Sequence, residues 1–588
     1  MILQALKECY DRKLALGEIA RDGWFRGGID FRLDLDCEGN IIGIDDLRDV
    51  EGKKSISRKM ELPCIGSQAT KHSNSGKDGN LLWDNADFIF GVRKKKSLAS
   101  MLEALDIWLG DVEDVGVHAV RCFFKKGLDN SRHFDLALNH SEYGELFKAG
   151  SVKITFRVSS TPYHTVVDSP TVIEAIDRKF GSADGTSNSI SVGTCLVSGM
   201  QNVPIALTHP VIKGVRGAQT SGAAIVSFNK DAFNSYGKEQ SINAAVEKNI
   251  ATQYVKILND LTASNSKQCI QIGDATTVFW AKKESFFEKS FSMFFQEARK
   301  DDPSFDTNKI REAIESIYTG AYLESESKNE FYILGLSPNA ARISIRFWKH
   351  GTVKEFAENI RHYFDDFKII KPPNEVEYYS IWRILVNIAI QDKSENIPPN
   401  LAGEFIRAII NNTPYPATLL HAVLRRIRSD TEDRVKPVRA ALLKAYLNRY
   451  YRFNNDQEYK EVKEVLDVER NDVGYVLGRL FAVLEKIQEE GNTGINSTIR
   501  DRYYGAACAT PVTVFTNLMK LKNYHLAKME NPGRVVNFEK MLGEIVSKLE
   551  TFPAHLCMHE QALFSIGYYH QRQDFFVAKD KKEGANNE

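Results

Sequence analysis

The chain is 588 residues long, 43% hydrophobic and 26% charged; these are ordinary globular values, and the length is too great for one core, so about three or four domains are expected. Its 77 basic and 77 acidic residues cancel, which excludes a protein that coats nucleic acid through a global positive field and leaves room only for local basic strips. No two of the eight cysteines fall at C-x-x-C spacing, which excludes a zinc ribbon or thioredoxin-type pair, and thiols scattered this way fit a reducing cytoplasm.

Residues 1–16 predict an amphipathic helix and not a signal peptide, because Gln4, Lys7 and Glu8 interrupt the apolar residues. No run approaches 18 apolar residues, so no membrane span is expected. Phe31–Leu35 and Ile41–Ile44 alternate around Glu38-Gly39-Asn40 and predict a hairpin. Its turn imitates a calcium loop through Asp34, Asp36 and Glu38. The flanks alternate as strands, however, and the last place holds Asp45 instead of Glu, so no metal is expected.

Residues 51–80 read as polar loop without apolar periodicity. They carry Lys53, Lys54, Arg58 and Lys59, then KHSNSGKDGN from Lys71 to Asn80. A loop this long in a compact domain points to function, and Trp83 of the following NLLWDN is expected to anchor its base. Arg93, Lys94, Lys95 and Lys96 form a basic run, either a solvated turn or a phosphate contact.

From about 98 to 350 helices and strands mix. Ser151–Ser159 and Thr276–Ala281 predict strands. Gly335–Trp348 predicts a turn at Ser337-Pro338-Asn339 and then a strand, with Arg342 and Arg346 on one face and Ile343, Ile345 and Phe347 on the other. Between these lies HPVIKGVRGAQTSGAAIVSFNKDAFNSYGKEQSIN, residues 209–243. Its Gly-rich loop carries Lys213 and Arg216, Ala223–Phe228 predicts a buried strand, and Lys238, Gln240 and Ser241 follow a polar turn. Two readings stay open: a phosphate cradle, since glycines beside cations can present bare N–H groups, or a connector between core elements.

After about residue 353 the period is helical. Lys371-Pro372-Pro373-Asn374 is the first linker candidate and Ile397-Pro398-Pro399-Asn400 the second. Helices are expected near 376–391, 402–412, 416–429, 436–452, 457–469, 473–489, 512–528, 534–550 and 559–570, with Leu477, Leu480, Phe481, Leu484 and Ile487 on one face. Arg425, Arg426 and Arg428 share one helix, a solvated face or a nucleic-acid contact. The tail from Lys579 is polar and expected to be disordered.

The motifs of bond-breaking chemistry are missing. Gly52-Lys53, Gly76-Lys77 and Gly237-Lys238 each lack the hydroxyl of a phosphate loop, and His559-Glu560 lacks the second His of a zinc protease. His209 and His555 lack a positioned partner in the sequence. Asp45-Asp46 and Asp365-Asp366 sit at turns or on helix surfaces without a nuclease pattern. What is present is loops, cations, amides and glycines.

Seven stretches, in order, are similar to one known family: MILQALKECYDR at the start, NLLWDN at 80–85, HPVIKGVRGAQTSGAAIVSFN at 209–229, NSYGKEQSIN at 234–243, GLSPNAARISIRFW at 335–348, GRLFAVLEKIQ at 478–488 and FPAHLCMHEQALFSIGYYHQRQ at 552–573. They resemble the large subunit of the type I-C CRISPR surveillance (Cascade) complex, over nearly the whole chain. The resemblance implies a non-catalytic, cytoplasmic protein of antiviral defence, without cofactor, metal or membrane. It implies a guide RNA, target double-stranded DNA, backbone and handle-capping subunits, a small subunit that can be made from the same gene, and a helicase-nuclease recruited after target binding. It also implies reading of the protospacer-adjacent motif in duplex DNA and help in opening that duplex, while guide pairing reads the rest.

The expected fold is α+β, a large mixed α/β N-terminal region followed by an all-helical C-terminal bundle. Its expected parts are an N-terminal region with the motif-reading loop (1–150), a mixed core contacting guide and backbone subunits (151–352), a helical linker region (353–400) and a helical bundle resembling the small subunit (401–588). On residue type, Lys71, His72, Asn74, Ser75, Lys77 and Asn80 are candidates for the flanking motif. Lys53, Lys54, Arg58, Arg93, Lys94, Lys95, Lys96, Arg425, Arg426 and Arg428 are candidates for DNA backbone, and Lys213, Arg216, Gln219, Lys238 and Gln240 for guide or subunit contact. Two other readings stand beside this one: a metal-dependent nuclease with an unrecognised carboxylate site, and a cytoplasmic scaffold.

Overall fold

A computed structural model describes residues 2–51, 54–64, 78–92, 96–182, 191–272, 275–295, 311–313, 315–317, 319, 326, 328–430, 434–455 and 458–576. The chain divides into two compact units, one of Met1–Pro210 with Val226–Asp260, the other of Val211–Ile225 with Leu261–Glu588.

The first unit opens on helix Ile2–Ala15, which buries Leu6, Cys9 and Tyr10. Its main sheet has four strands in the order Ile41–Asp46, Phe31–Leu35, Lys153–Val158, Trp83–Asn85. The central pair is parallel and both outer pairs are antiparallel. Phe31, Leu33 and Leu35 are buried while Arg32 and Asp34 between them are partly exposed, as the two-residue period requires. Helix Val115–Asp129 is started by Asp114, whose carboxylate accepts from Gly116 N (2.8 Å) and Val117 N (3.1 Å). It contributes Phe123 and Phe124, whose rings meet Phe156 of the sheet.

The expected hairpin is present, and its acidic turn is structural. Asp36 accepts from Glu38 N, Asn40 N and Asn40 Nδ2 at 2.8–2.9 Å. A Cβ on Gly39 would lie 2.4 Å from Phe123 N, so no larger residue fits there. The expectation of unbroken loop over 51–80 is corrected. Arg58–Pro63 pairs antiparallel with Trp24–Ile29, and Lys54–Ile56 pairs with Asp49–Glu51. Cross-strand partners hold these segments where apolar periodicity is too weak to signal strands.

The second unit contains an antiparallel sheet in chain order, Cys269–Ile272, Ala275–Ala281, Glu330–Asn339, Arg342–Thr352. The turn expected at Ser337–Asn339 falls at Ala340–Ala341, where Ala340 takes φ +53°. The face expected for Arg342 and Arg346 is also corrected. The register shifts between Gly335 and Leu336, so Ile345 opposes Leu336, Phe347 opposes Gly335 and Arg346 is skipped. The bulge breaks the alternation and leaves Ile345 exposed. The Ala223–Phe228 strand is not formed. Only single bridges join Ile212 to Ala223 and Ala224 to Arg342.

Helices then follow. Val353–Phe367, Ile381–Ile388, Pro399–Asn411, Ala417–Ser429, Pro437–Phe453, Val473–Gly491, Pro511–Ala527, Pro532–Val546 and Met558–Asp574 surround one core. None of the described helices is long and apolar enough to cross a membrane. The helix expected over 457–469 is not formed in its described part, 458–469. The Asn448 side chain takes Val462 N (2.8 Å) and O (3.0 Å), and buried Arg470 takes the Lys460 carbonyl (2.7 Å), so this backbone is held outside a helical ladder. Helix Ile499–Ala509 was not expected, although Thr498 and Asp501 form a capping box at its start. Val473–Gly491 and Met558–Asp574 approach through glycines. A Cβ on Gly478 would sit 2.0 Å from the Phe564 carbonyl, and one on Gly567 2.2 Å from that of Tyr475.

Candidate nucleic-acid interface

The segment expected to read DNA is held at both stems within the first unit. On the incoming side Cys64 N donates to Gly23 O (2.7 Å), and the Pro63 carbonyl accepts from Trp83 Nε1 (3.2 Å). Trp83 is buried with Ile29 and Leu62, so the expected anchoring role matches its placement. On the outgoing side Gly79 N donates to Ser100 Oγ (2.5 Å). Lys71, His72, Asn74, Ser75 and Lys77 lie outside the described residues. Asn80 is placed otherwise than expected: it is fully buried, and its N and Nδ2 both donate to Asp84 (2.9 and 3.0 Å). It therefore belongs to the stem and presents no edge to a base. Burial pushes the Asp84 carboxyl up to about 7, against the pull of the Asn80 and Asn85 donors.

Of the candidates for DNA backbone in this unit, Arg58 is exposed on its strand. Lys54 begins a strand and Lys96 a helix, but their side chains are not described; Lys53, Arg93, Lys94 and Lys95 lie outside the described residues, as does the tail from Lys579.

The stretch from 209 to 243 does not form one site within one unit. Lys213, Arg216 and Gln219 fall in the second unit, Lys238 and Gln240 in the first. The Ile212–Ala223 bridge closes the loop that carries the former three, with bonds of 2.8 and 3.0 Å. Gly214 takes φ +84°, and a Cβ there would meet the Thr262 carbonyl at 2.5 Å. Arg216 N donates to Thr276 Oγ1 (3.0 Å) and the Lys213 carbonyl accepts from Thr262 Oγ1 (2.7 Å). The loop is thus pinned to the sheet by its backbone while Arg216 and Gln219 point to solvent and Lys213 is half-buried. Lys238 and Gln240 are exposed, and their carbonyls accept from Asn243 Nδ2 at 3.0 Å each.

On helix Ala417–Ser429 the three arginines diverge. Arg425 is exposed. Arg426 meets Asp430 (2.6 Å) and Asp392 (3.6 Å), and Arg428 donates to Gln561. Burial alone would raise Asp392, yet Lys436, Arg439 and Arg426 outweigh it and hold the carboxyl below its usual range. A cavity of about 430 Å³ in this unit, lined by Arg383, Arg434, Lys436, Arg500 and Arg572, went unanticipated because its cations are scattered in sequence. Carboxylates answer most of that charge, Asp392 at 2.7 Å from Lys436 and Glu489 at 2.9 Å from Arg572 among them.

Of the groups considered for catalysis, His555 is exposed, and the paired carboxylates and His209 have structural partners. Asp45 pairs with Arg32, and Asp46 with Arg48 (2.6 Å). Asp365 meets Lys368 (2.8 Å) and buried Asp366 meets Arg452 (2.9 Å). His209 is buried against Tyr254 OH (2.7 Å), and burial lowers it to about 4, so it stays neutral near pH 7. Among the described residues no three His, Cys, Asp or Glu side chains converge as a metal would require.

The family described as CRISPR-associated protein (Cas_Csd1) matches residues 6–576. No curated protein matches the chain.

Proposed function

The chain belongs to the Cas_Csd1 family of CRISPR-associated proteins, the large subunit of type I-C surveillance complexes, and from that premise we propose that it reads the flanking motif in duplex DNA and helps part the strands there. One observation carries the reading: the match runs from residue 6 to residue 576, through both compact units. The geometry adds support in the stems on either side of residues 65–77, each tied to the first unit's core by hydrogen bonds. A reading segment on fixed stems meets a base edge without paying for a floppy base.

Lys71, His72, Asn74, Ser75 and Lys77 are proposed for the flanking motif, where one good bidentate contact discriminates by about 1–3 kcal/mol. Arg58 and Arg425, both exposed, are proposed for DNA phosphate together with Lys53, Lys54, Arg93, Lys94, Lys95 and Lys96, and Lys213, Arg216, Gln219, Lys238 and Gln240 for guide or subunit contact. Arg428, exposed beside its contact with Gln561, is proposed for DNA phosphate as well, while Arg426, paired with Asp430 and Asp392, holds the helical unit together. Parting one duplex step costs a few kcal/mol, so the cationic contacts must offset it. The partners are then a guide RNA, target DNA, the backbone, handle-capping and small subunits and a helicase-nuclease docking after target binding. The chain itself hydrolyses neither DNA nor ATP and works in the cytoplasm.

Replacing Lys71, Asn74 and Lys77 together with Ala in the guide-loaded complex tests this. Duplex targets with the correct flanking motif are expected to bind about tenfold or more weakly, and single-stranded targets unchanged. An equal loss on both would remove the assigned role.

A further inference from the structure

Tyr236 is 99% exposed. It stands at the corner of a tight turn in which Ser235 N donates to Lys238 O (3.3 Å) and Lys238 N to Ser235 O (2.9 Å). Tyr236 takes φ +51° and Gly237 +69°. Positive φ at both central positions is what a two-residue hairpin turn demands, and Asn or Gly is the residue that meets it at least cost. An aromatic residue there is strained, and this one recovers nothing by packing. The turn is nonetheless held rigid, because Asn243 Nδ2 donates to the carbonyls of Lys238 and Gln240 at 3.0 Å each, while Ser241 is buried with its N on Leu207 O (3.2 Å). Folding therefore accounts for the turn and not for the ring on it.

We propose that Tyr236 is a stacking platform for an unpaired nucleobase of a single-stranded nucleic acid. A base needs one open aromatic face on a stiff support, and every base has a π-face to offer. The immediate neighbours on the turn, Asn234, Ser235, Gly237 and Lys238, are small, polar or cationic. That suits a nucleotide better than a protein pocket, whose anchors sit within an apolar rim. Lys230 and Lys238 are balanced by Asp231 and Glu239, so the ring and not net charge supplies the gain. The inference rests on the chain being a nucleic-acid-binding subunit.

The test uses the full chain with labelled oligouridylate, oligothymidylate and an abasic sugar–phosphate strand of equal length, read by fluorescence anisotropy. Tyr236→Ala and Tyr236→Asn are expected to weaken binding of a base-bearing strand about 5- to 150-fold, which is about 1–3 kcal/mol at 1.4 kcal/mol per tenfold. Tyr236→Phe and Tyr236→Trp are expected to keep it, and the abasic strand is expected to be indifferent to all four. The melting temperature of the Asn variant is expected not to fall, since Asn tolerates the left-handed conformation, and that of the Ala variant to stay close to the wild type, since its Cβ meets the same strain and no packing is lost. Loss confined to the RNA strand assigns the base to a guide; loss confined to the DNA strand assigns it to a separated target strand. Wild-type binding that Tyr236→Ala leaves intact would overturn the platform alone. So would equal loss on the abasic strand, or a loss seen only in capture of a protein subunit without nucleic acid. Absence of any binding by the wild type would overturn the nucleic-acid reading with it.

Discussion

At the scale of residues, Asp84 makes a titration prediction. Its folded-state value of about 7 lies above the ordinary carboxylate value of 3.8. The folded state therefore holds the extra proton, so this group's contribution is fullest below about pH 4 and is lost as pH rises toward 7. Asp84→Asn removes the titration. Its stability relative to the wild type, measured by thermal melting, is expected to improve from pH 5 to pH 8; a difference that does not move with pH would show that Asp84 is ionised throughout. Arg58 and Arg425 make a second. Each, as a single phosphate contact, is expected on replacement by Ala to lower the slope of log affinity against log salt by about one, without changing motif preference. What was readable here depended on side chains whose role needs no partner. Trp83 reads as an anchor because a large apolar ring rarely does otherwise. Asn80 does not read as buried, because nothing in NLLWDN says that Asp84 turns back onto it. Arg426 has its nearest partner, Asp430, only four residues on, and the fold adds Asp392, which the sequence does not show.

At the scale of elements, helical periodicity identified most of the C-terminal unit, although the single face expected for Leu477, Leu480, Phe481 and Leu484 understated their helix, which is buried on every side from Gly474 to Glu485. It failed over 457–469, where Asn448 and Arg470 claim the backbone, and it passed over Ile499–Ala509, whose signal lies in its cap and not in its period. Strands such as Arg58–Pro63 were hidden for another reason: their order comes from the partner strand, and a single segment cannot show it. The contact of Val473–Gly491 with Met558–Asp574 gives the prediction for this scale. Gly478→Ala would press a methyl into the Phe564 carbonyl, and backbone cannot rotate away as a side chain can. A cost of about 1–3 kcal/mol is expected, seen as a lowered denaturant midpoint. By contrast Gly543, with nothing within 4 Å of an added Cβ, is expected to accept Ala without loss. Equal effects at the two positions would mean that the helices are not in contact there.

At the scale of the whole molecule, the mixed N-terminal part and helical C-terminal part were legible from the change of period near residue 353. The path of the chain was not. Residues 211–225 leave the first unit and join the sheet of the second before the chain returns, so a stretch that is continuous in sequence divides its cations between two bodies. Long-range pairing of this kind leaves no local trace. The family reading survives this because it rests on ordered similarity along the chain and not on any one loop.

The most direct measurement compares guide-loaded complexes on three DNAs: a duplex with the correct flanking motif, the same duplex with that motif altered, and a target whose strands are already parted beside it. With this chain present, the correct duplex is expected to bind about 5- to 150-fold more tightly than the altered one, the range of a single good base contact, and parting the strands in advance is expected to erase most of the difference. Equal binding to both duplexes, or a motif preference that persists when this chain is left out, would contradict the account.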